Sequence, residues 1–352
     1  MRVLAEEAGL PAAAILDWSA NINPFGLPPR VRAALLQGME SIVHYPDPDA
    51  INLRESLAAF HGLPRESVLV GNGETELIYL TAQAFRPKRA LAVVPAFSEY
   101  AHALELVDCQ IESFRLSEAS SFLPDTDSVL SALEGCDALV LANPNNPTGS
   151  LIDPANLLTV VEACEERGIF CVLDEAFIDW VEPHSLKAHA ARARNLLVLR
   201  SLTKFYALPG LRVGYAIGHA DRIALLRRWQ PTWSVNALAQ VAGVAAIEDT
   251  NYREQSLEVI PRIREAFRSS LATINGIRVF PSEANFLLLK LTAPGWNGPT
   301  LRAALLAKGM AVRETSSFEG LGPLYLRVAV RLPEENARLV EVLKGLLGCG
   351  AS

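Results

Sequence analysis

No apolar run in this chain approaches the roughly 20 residues that a membrane-spanning helix needs. Runs such as Ala138–Ala142 and Ile169–Leu173 have the length of strands. The first residues, Met-Arg-Val-Leu-Ala-Glu-Glu-Ala, lack the basic-then-apolar order of an export signal, so a cytoplasmic protein without membrane association is expected. There is also no block of basic residues. The 32 Lys+Arg against 39 Asp+Glu leave a net charge of −7, which argues against a dedicated nucleic-acid binder. The densest basic stretch, Arg86-Pro87-Lys88-Arg89, reads as a solvated turn. Cysteine is scarce: Cys109, Cys136, Cys164, Cys171 and Cys349 form an odd set with no CxxC spacing, so reduced, mostly buried thiols are expected. No Cys/His set has zinc-ligand spacing, and no metal is expected. His44, His61, His102, His184, His189 and His219 are scattered, most of them expected at the surface.

What is present is a globular composition: 352 residues, 50% hydrophobic and 20% charged, enough for one large domain or two ordinary ones. The middle of the chain alternates β-rich runs (Val68–Val70, Leu91–Val94, Leu139–Ala142, Phe170–Leu173, Leu197–Leu199, Val213–Ile217) with segments of helical period (Glu74–Ala84, Tyr100–Val107, Pro154–Arg167). This alternation predicts an α/β fold with a mostly parallel sheet covered by helices on both faces. Sites in such folds lie at the carboxyl ends of the strands. The last hundred residues read as α+β: a charged helix Asn251–Ile274, strands Ile277–Phe280 and Asn285–Lys290, a loop Thr292–Pro299, a helix Thr300–Lys308, strands Ala311–Glu314 and Tyr325–Val330, and a final helix Pro333–Leu347. A second, smaller domain is expected there. No internal repeat interrupts either part.

Four polar clusters follow predicted strands. Gly71-Asn72-Gly73-Glu74-Thr75-Glu76 is a glycine turn opening a helix. Free backbone N–H groups there can cup a phosphate, although a plain capped turn uses the same residues. Asn143-Pro144-Asn145-Asn146-Pro147-Thr148-Gly149 is an irregular loop that presents an asparagine amide, or simply a turn. Asp174 ends the apolar strand Phe170–Leu173. A buried carboxylate needs a cation or strong donor, whether in a site or in a structural salt bridge. Lys204, in Ser201-Leu202-Thr203-Lys204-Phe205-Tyr206-Ala207-Leu208-Pro209-Gly210-Leu211-Arg212, lies in an apolar segment. Desolvation there would lower its pKa and favour imine chemistry over simple exposure.

In order and spacing, with Asp174 28 residues after Asn146 and Lys204 30 after Asp174, these clusters resemble pyridoxal-phosphate enzymes of fold type I, the aspartate aminotransferase fold. The resemblance implies a large domain at 45–250, preceded by an N-terminal segment 1–44 and followed by a small domain at 251–352. It implies that Lys204 condenses with the cofactor aldehyde, that Asp174 pairs with the pyridine nitrogen and that Asn146 bonds the ring 3-oxygen. Gly73, Glu74, Thr75, Ser201, Thr203 and Arg212 would bind the phosphate, and Tyr100 would stack on the ring. Tyr45, in His44-Tyr45-Pro46-Asp47, would reach the phosphate of a neighbouring subunit, which implies a homodimer with shared sites. One departure is Phe177, where related aminotransferases carry a tyrosine that also bonds the 3-oxygen.

Within that fold type the chain resembles two families acting on phosphorylated amines: histidinol-phosphate aminotransferases and the threonine-phosphate decarboxylases of cobalamin synthesis. Leu16-Asp17-Trp18-Ser19-Ala20-Asn21-Ile22-Asn23-Pro24, Asp174-Glu175-Ala176-Phe177-Ile178-Asp179, Arg200–Tyr206, Trp233–Leu238 and Tyr325–Arg331 favour the decarboxylases. That resemblance implies a substrate with a carboxylate and a phosphate, held by Arg313 and Arg327 with Asn21 and Asn146 as polar contacts. Serine phosphate in place of threonine phosphate differs by one methyl, worth about 1–3 kcal/mol. An aminotransferase, or a silent pyridoxal-binding protein, is the competing expectation. These decarboxylases also carry an N-terminal His-Gly-Gly stretch. This chain begins, at Met1-Arg2-Val3, where that stretch would end: either the start is placed too late, or the chain is truncated, or this homologue does without it, and a chain truly short there is expected to bind substrate more weakly with cofactor binding intact.

Overall fold

In the computed structural model residues 2–348 are described. Cys349 lies outside them. A short strand β1 (Leu16–Asp17) precedes β2 (Val68–Gly71), β3 (Arg89–Val94), β4 (Gln110–Arg115), β5 (Ala138–Ala142), β6 (Phe170–Asp174), β7 (Leu196–Ser201) and β8 (Gly214–Gly218). Strands β2 to β8 form one sheet in the order β2-β8-β7-β6-β5-β3-β4. The pairs from β4 through β7 are parallel, and β8 runs antiparallel to β7 and β2.

The apolar runs explain this sheet. Strands β2, β5 and β7 are buried at every position, as both-face coverage demands. Alternate residues enter different layers: Leu69, Val140, Val172 and Leu199 pack on one side, Val70, Leu141, Leu173 and Val198 on the other. Helices span the strands where caps allow. Asp153 accepts from the Ala155 amide at 2.9 Å to open the helix Pro154–Glu166, and Gly168, at φ 69°, turns the chain toward β6. The helix Gly73–Phe85 likewise ends at Arg86, at φ 44°.

After the long helix Thr250–Ala272 come β9 (Ile277–Val279), β10 (Phe286–Leu291), β11 (Met310–Ala311), β12 (Arg313–Glu314) and β13 (Tyr325–Ala329). The sheet β12-β13-β10-β9 is antiparallel. The single strand expected over Ala311–Glu314 is split. Its first half pairs in parallel with β1, Leu16 against Met310 and Asp17 against Ala311. The N-terminal segment then runs on past β13, where Trp18 O accepts from the Ala329 amide at 2.8 Å.

Other expectations need correction too. Strand β4, absent from the sequence reading, is a half-exposed edge strand. His61 is no surface residue: its ring is fully enclosed and its Nε2 lies 2.8 Å from the Tyr215 hydroxyl. Arg86 and Lys88 are exposed, but Arg89 belongs to β3. Cys109, Cys136, Cys164 and Cys171 are buried free thiols. No helix among the described residues is long and apolar enough to cross a membrane.

Candidate active site

The carboxyl ends of β2, β5, β6 and β7 lie along one edge of the large sheet, where Ala142 pairs with Asp174, Asp174 with Leu199, and Gly71 and Ser201 both with Gly214. The polar clusters therefore converge. Glu74, Thr75, Asn146, Asp174, Ser201, Thr203, Lys204 and Arg212 line one cavity.

One end of the cavity suits an anion. The helix Gly73–Phe85 starts there with no side-chain cap, so its first amides are unsatisfied. Ser201 Oγ and Thr203 Oγ1 are 2.7 Å apart. Gly73, at φ 77°, leaves room for the guanidinium of Arg212; a Cβ would strike its Nη2. The side chain of Glu74 does not join this anion cup. Its Oε1 is sealed from solvent without a partner, and burial, then the Asp174 charge, pushes its carboxyl well above the usual range. Any help it gives a phosphate comes from its backbone.

At the other end Asp174 is buried and its partners are explicit. Oδ1 accepts from the Ala176 amide at 2.8 Å, and Oδ2 accepts from the Tyr100 hydroxyl. The strong donor expected from the sequence is thus a phenol. Burial and the Asp174 charge raise the Tyr100 pKa, which keeps the proton on the phenol. The Tyr100 hydroxyl is committed to Asp174, and Phe97 is an aromatic on the cavity wall. Phe97 escaped the sequence reading; its only signal was its place between Pro95 and Tyr100. Phe177 also lines the cavity, packed edge-on against Phe286 with centroids 5.0 Å apart.

Lys204 is held by the N-terminal segment, since its carbonyl accepts from the Asn23 amide at 3.0 Å. Burial, then the Arg327 charge, lowers its pKa, which favours the neutral, nucleophilic amine. Arg327 is buried and donates to Asn146 Oδ1 at 2.6 Å and to Ser19 O at 2.8 Å. With Oδ1 so engaged, the amide nitrogen of Asn146 is the group left to donate. Arg313 sits directly across from Arg327 in the β12–β13 register. It is exposed, and it bonds Ser317 Oγ at 3.0 Å. Like charges so placed repel, and burial with Arg313 brings the Arg327 pKa down to about 9.

Two expected residues stand apart. Asn21 is buried with an unpartnered Oδ1 but does not line the cavity. Tyr45 is 79% exposed and stacks on Trp233, 4.4 Å between centroids, outside the cavity of its own chain.

A profile of the aminotransferase class I and II family matches residues 13–343. The threonine-phosphate decarboxylase of Salmonella typhimurium is 39% identical over 351 residues, 99% of this chain and 95% of that one. Among solved structures, the histidinol-phosphate aminotransferase of Clostridium acetobutylicum superposes with a TM-score of 0.89 at 30% identity, over 95% of this chain and 100% of that one. The L-threonine-O-3-phosphate decarboxylase of Porphyromonas gingivalis gives 0.85 at 27% identity, with the same coverage.

Proposed function

Because the chain belongs to the class I and II aminotransferase family, we propose that it is a pyridoxal-phosphate-dependent carboxy-lyase. Its reaction is the decarboxylation of L-threonine O-3-phosphate to (R)-1-aminopropan-2-ol O-2-phosphate, for the nucleotide-loop linker of cobalamin. The observation that carries the reading is Lys204 and Asp174 on one cavity wall, with the buried Arg327 bonded to Asn146 of the same wall.

The residues present fit the cofactor by their donor chemistry. The hydroxyls of Ser201 and Thr203, the Arg212 guanidinium over Gly73 and the amides at Glu74 and Thr75 suit a phosphate dianion. Asp174 suits a protonated ring nitrogen, Asn146 the 3-oxygen, and Phe97, beside Tyr100, an aromatic ring. When bound, pyridoxal phosphate supplies an aldehyde that captures the substrate amine and a ring that takes up the electron pair left when CO2 departs.

The chain's own part is to orient and to move a proton. Arg313 and Arg327 grip the substrate's phosphate and carboxylate, where the planar fork of arginine matches both groups. Asn21, buried in the N-terminal segment with an unpartnered Oδ1, is the further polar contact this reading assigns. Lys204, biased toward its neutral form, would hold the aldehyde, and its amine would be the group to carry a proton to the α-carbon. The net change replaces one carboxylate by one proton: substrate and H+ yield CO2 and the amino-alcohol phosphate.

The same reading divides the chain into 1–44, a cofactor-binding domain 45–250 and a small domain 251–352, and makes it a cytoplasmic homodimer. Exposed Leu36, Val43 and Tyr45 support that association, since a soluble surface seldom leaves clustered apolar side chains uncovered.

The test is incubation with phosphothreonine and pyridoxal phosphate, following CO2 and keto acid separately. CO2 release without an acceptor, abolished in Lys204→Ala, is the expected result. Turnover that requires a 2-oxo acid and yields keto acid would make the enzyme an aminotransferase instead.

A further inference from the structure

Behind the cavity lies a cluster of buried charges that the proposed reaction does not use. Arg200 is fully enclosed, at the end of β7. Its Nη1 lies 3.1 Å from Glu175 Oε2, and its Nη2 lies 3.4 Å from Asp179 Oδ1 and 2.5 Å from Glu182 Oε2. Glu175 is held in turn by the Ser185 hydroxyl at 2.6 Å and the Leu186 amide at 2.8 Å. Lys187 pairs with Glu182, whose other neighbour is the His61 ring.

We propose that Arg200 and Glu175 are positioning residues: their ion pair fixes the spacing between Asp174 and the Ser201–Lys204 segment. The argument begins with register. Asp174 of β6 is the partner of Leu199 of β7, and the Glu175 amide donates to Leu199 O at 2.8 Å. Side chains alternate across a sheet. Asp174 and Ser201 line the cavity. Glu175 and Arg200, the intervening positions, face the opposite layer, where Leu173 and Val198 pack. Their ion pair is therefore the last tie between the two strands before each enters a loop that carries chemistry.

Stability alone is a poor reason for such a cluster. Removing ions from water is costly, and well-packed apolar side chains of similar volume often serve as well or better. An apolar filling, however, tolerates sliding. A guanidinium bonded to three carboxylates does not, because each bond has a direction. The restraint acts one residue from Asp174 and one from Ser201.

This inference rests on the cofactor reading above, and its test separates the two. Wild-type protein, Arg200→Lys, Glu175→Gln and Asp179→Asn are titrated with pyridoxal phosphate. The absorbance of the lysine adduct is followed across pH, and melting is measured in parallel. Glu175→Gln preserves shape and provides the answer should Arg200→Lys fail to fold. Loss of an orienting partner weakens a ligand about tenfold or more. A loss of that size, with a displaced pH midpoint of the adduct band, is expected for Arg200→Lys and Glu175→Gln. Asp179→Asn, which touches Arg200 but neither strand end, should shift melting only. If Glu175→Gln binds and titrates as wild type while its melting falls, the cluster is structural and the proposal is overturned. If borohydride fails to fix the cofactor on Lys204 of the wild type, the cofactor reading falls first and takes this one with it.

Discussion

Arg327 shows how much a single side chain can be asked to do. It is a buried cation that faces another arginine across the strand pair, and its Nε has no partner. A fork with one hand on Asn146 and the other on Ser19 O leaves its charge uncompensated, a deficit that a substrate carboxylate or phosphate would remove under the proposed function. Arg327→Lys keeps the charge and loses the fork. It should lower kcat/KM for phosphothreonine by about a hundredfold, roughly the 2.7 kcal/mol of a charge-assisted hydrogen bond, while cofactor affinity changes little. Steady-state kinetics beside a cofactor titration would check this. Equal losses in both would mean that Arg327 serves mainly to hold Asn146 toward the cofactor.

At the scale of elements, the helix Ile51–His61 delivers His61 against β8 and the Arg200 cluster. Burial first, then Arg200, Lys187 and Arg253, hold its pKa down to about 3 despite Glu182. In the unfolded chain the ring titrates near its ordinary 6.5. Between those values the unfolded state binds a proton that the folded state refuses. This histidine therefore costs stability as pH falls from 6.5 toward 3, by at most about 1.4 kcal/mol per pH unit. His61→Gln should be less stable than wild type at neutral pH yet lose less on acidification, measured as urea midpoints at neutral and mildly acid pH. Parallel losses would refute the assignment. The histidine also marks the limit of what the sequence could reveal. Strands β5, β6 and β7 were legible because each is an apolar run ending in a chemistry-bearing residue, and the topology then forces those ends together. Strand β4 was not, because an edge strand exposed on one side carries a diluted pattern. The pairing of β1 with β11 joins segments nearly three hundred residues apart, and two-residue strands leave no periodic trace. The ion pair of Glu175 with Arg200 and the phenol on Asp174 depend on strand register and layer, which composition does not encode.

For the whole molecule, the decisive question is whether the site is complete in one chain. The helix Pro29–Gly38 and the turn after it expose Leu36 at 72%, Val43 at 76% and Tyr45 at 79%. Of these, Tyr45 lines a broad hollow on the face formed by residues 30–56 and 237–248, away from the Lys204 cavity. A second copy seated there would cover them and bring each Tyr45 to a partner's phosphate site, in the reciprocal manner of a two-fold interface. Shared sites make an unusual kinetic prediction. Lys204→Ala should be inactive, and Tyr45→Ala should bind the cofactor weakly and lose most activity at limiting cofactor. When the two variants are denatured together and refolded, half of the dimers should be hybrids. In each hybrid one site carries both lesions, and the other combines the intact Lys204 of one chain with the intact Tyr45 of its partner. Activity at limiting cofactor should then recover to roughly a quarter of the wild-type level. If the mixture shows only the average of the two parents, each chain completes its own site and the exposed tyrosine has no part in it.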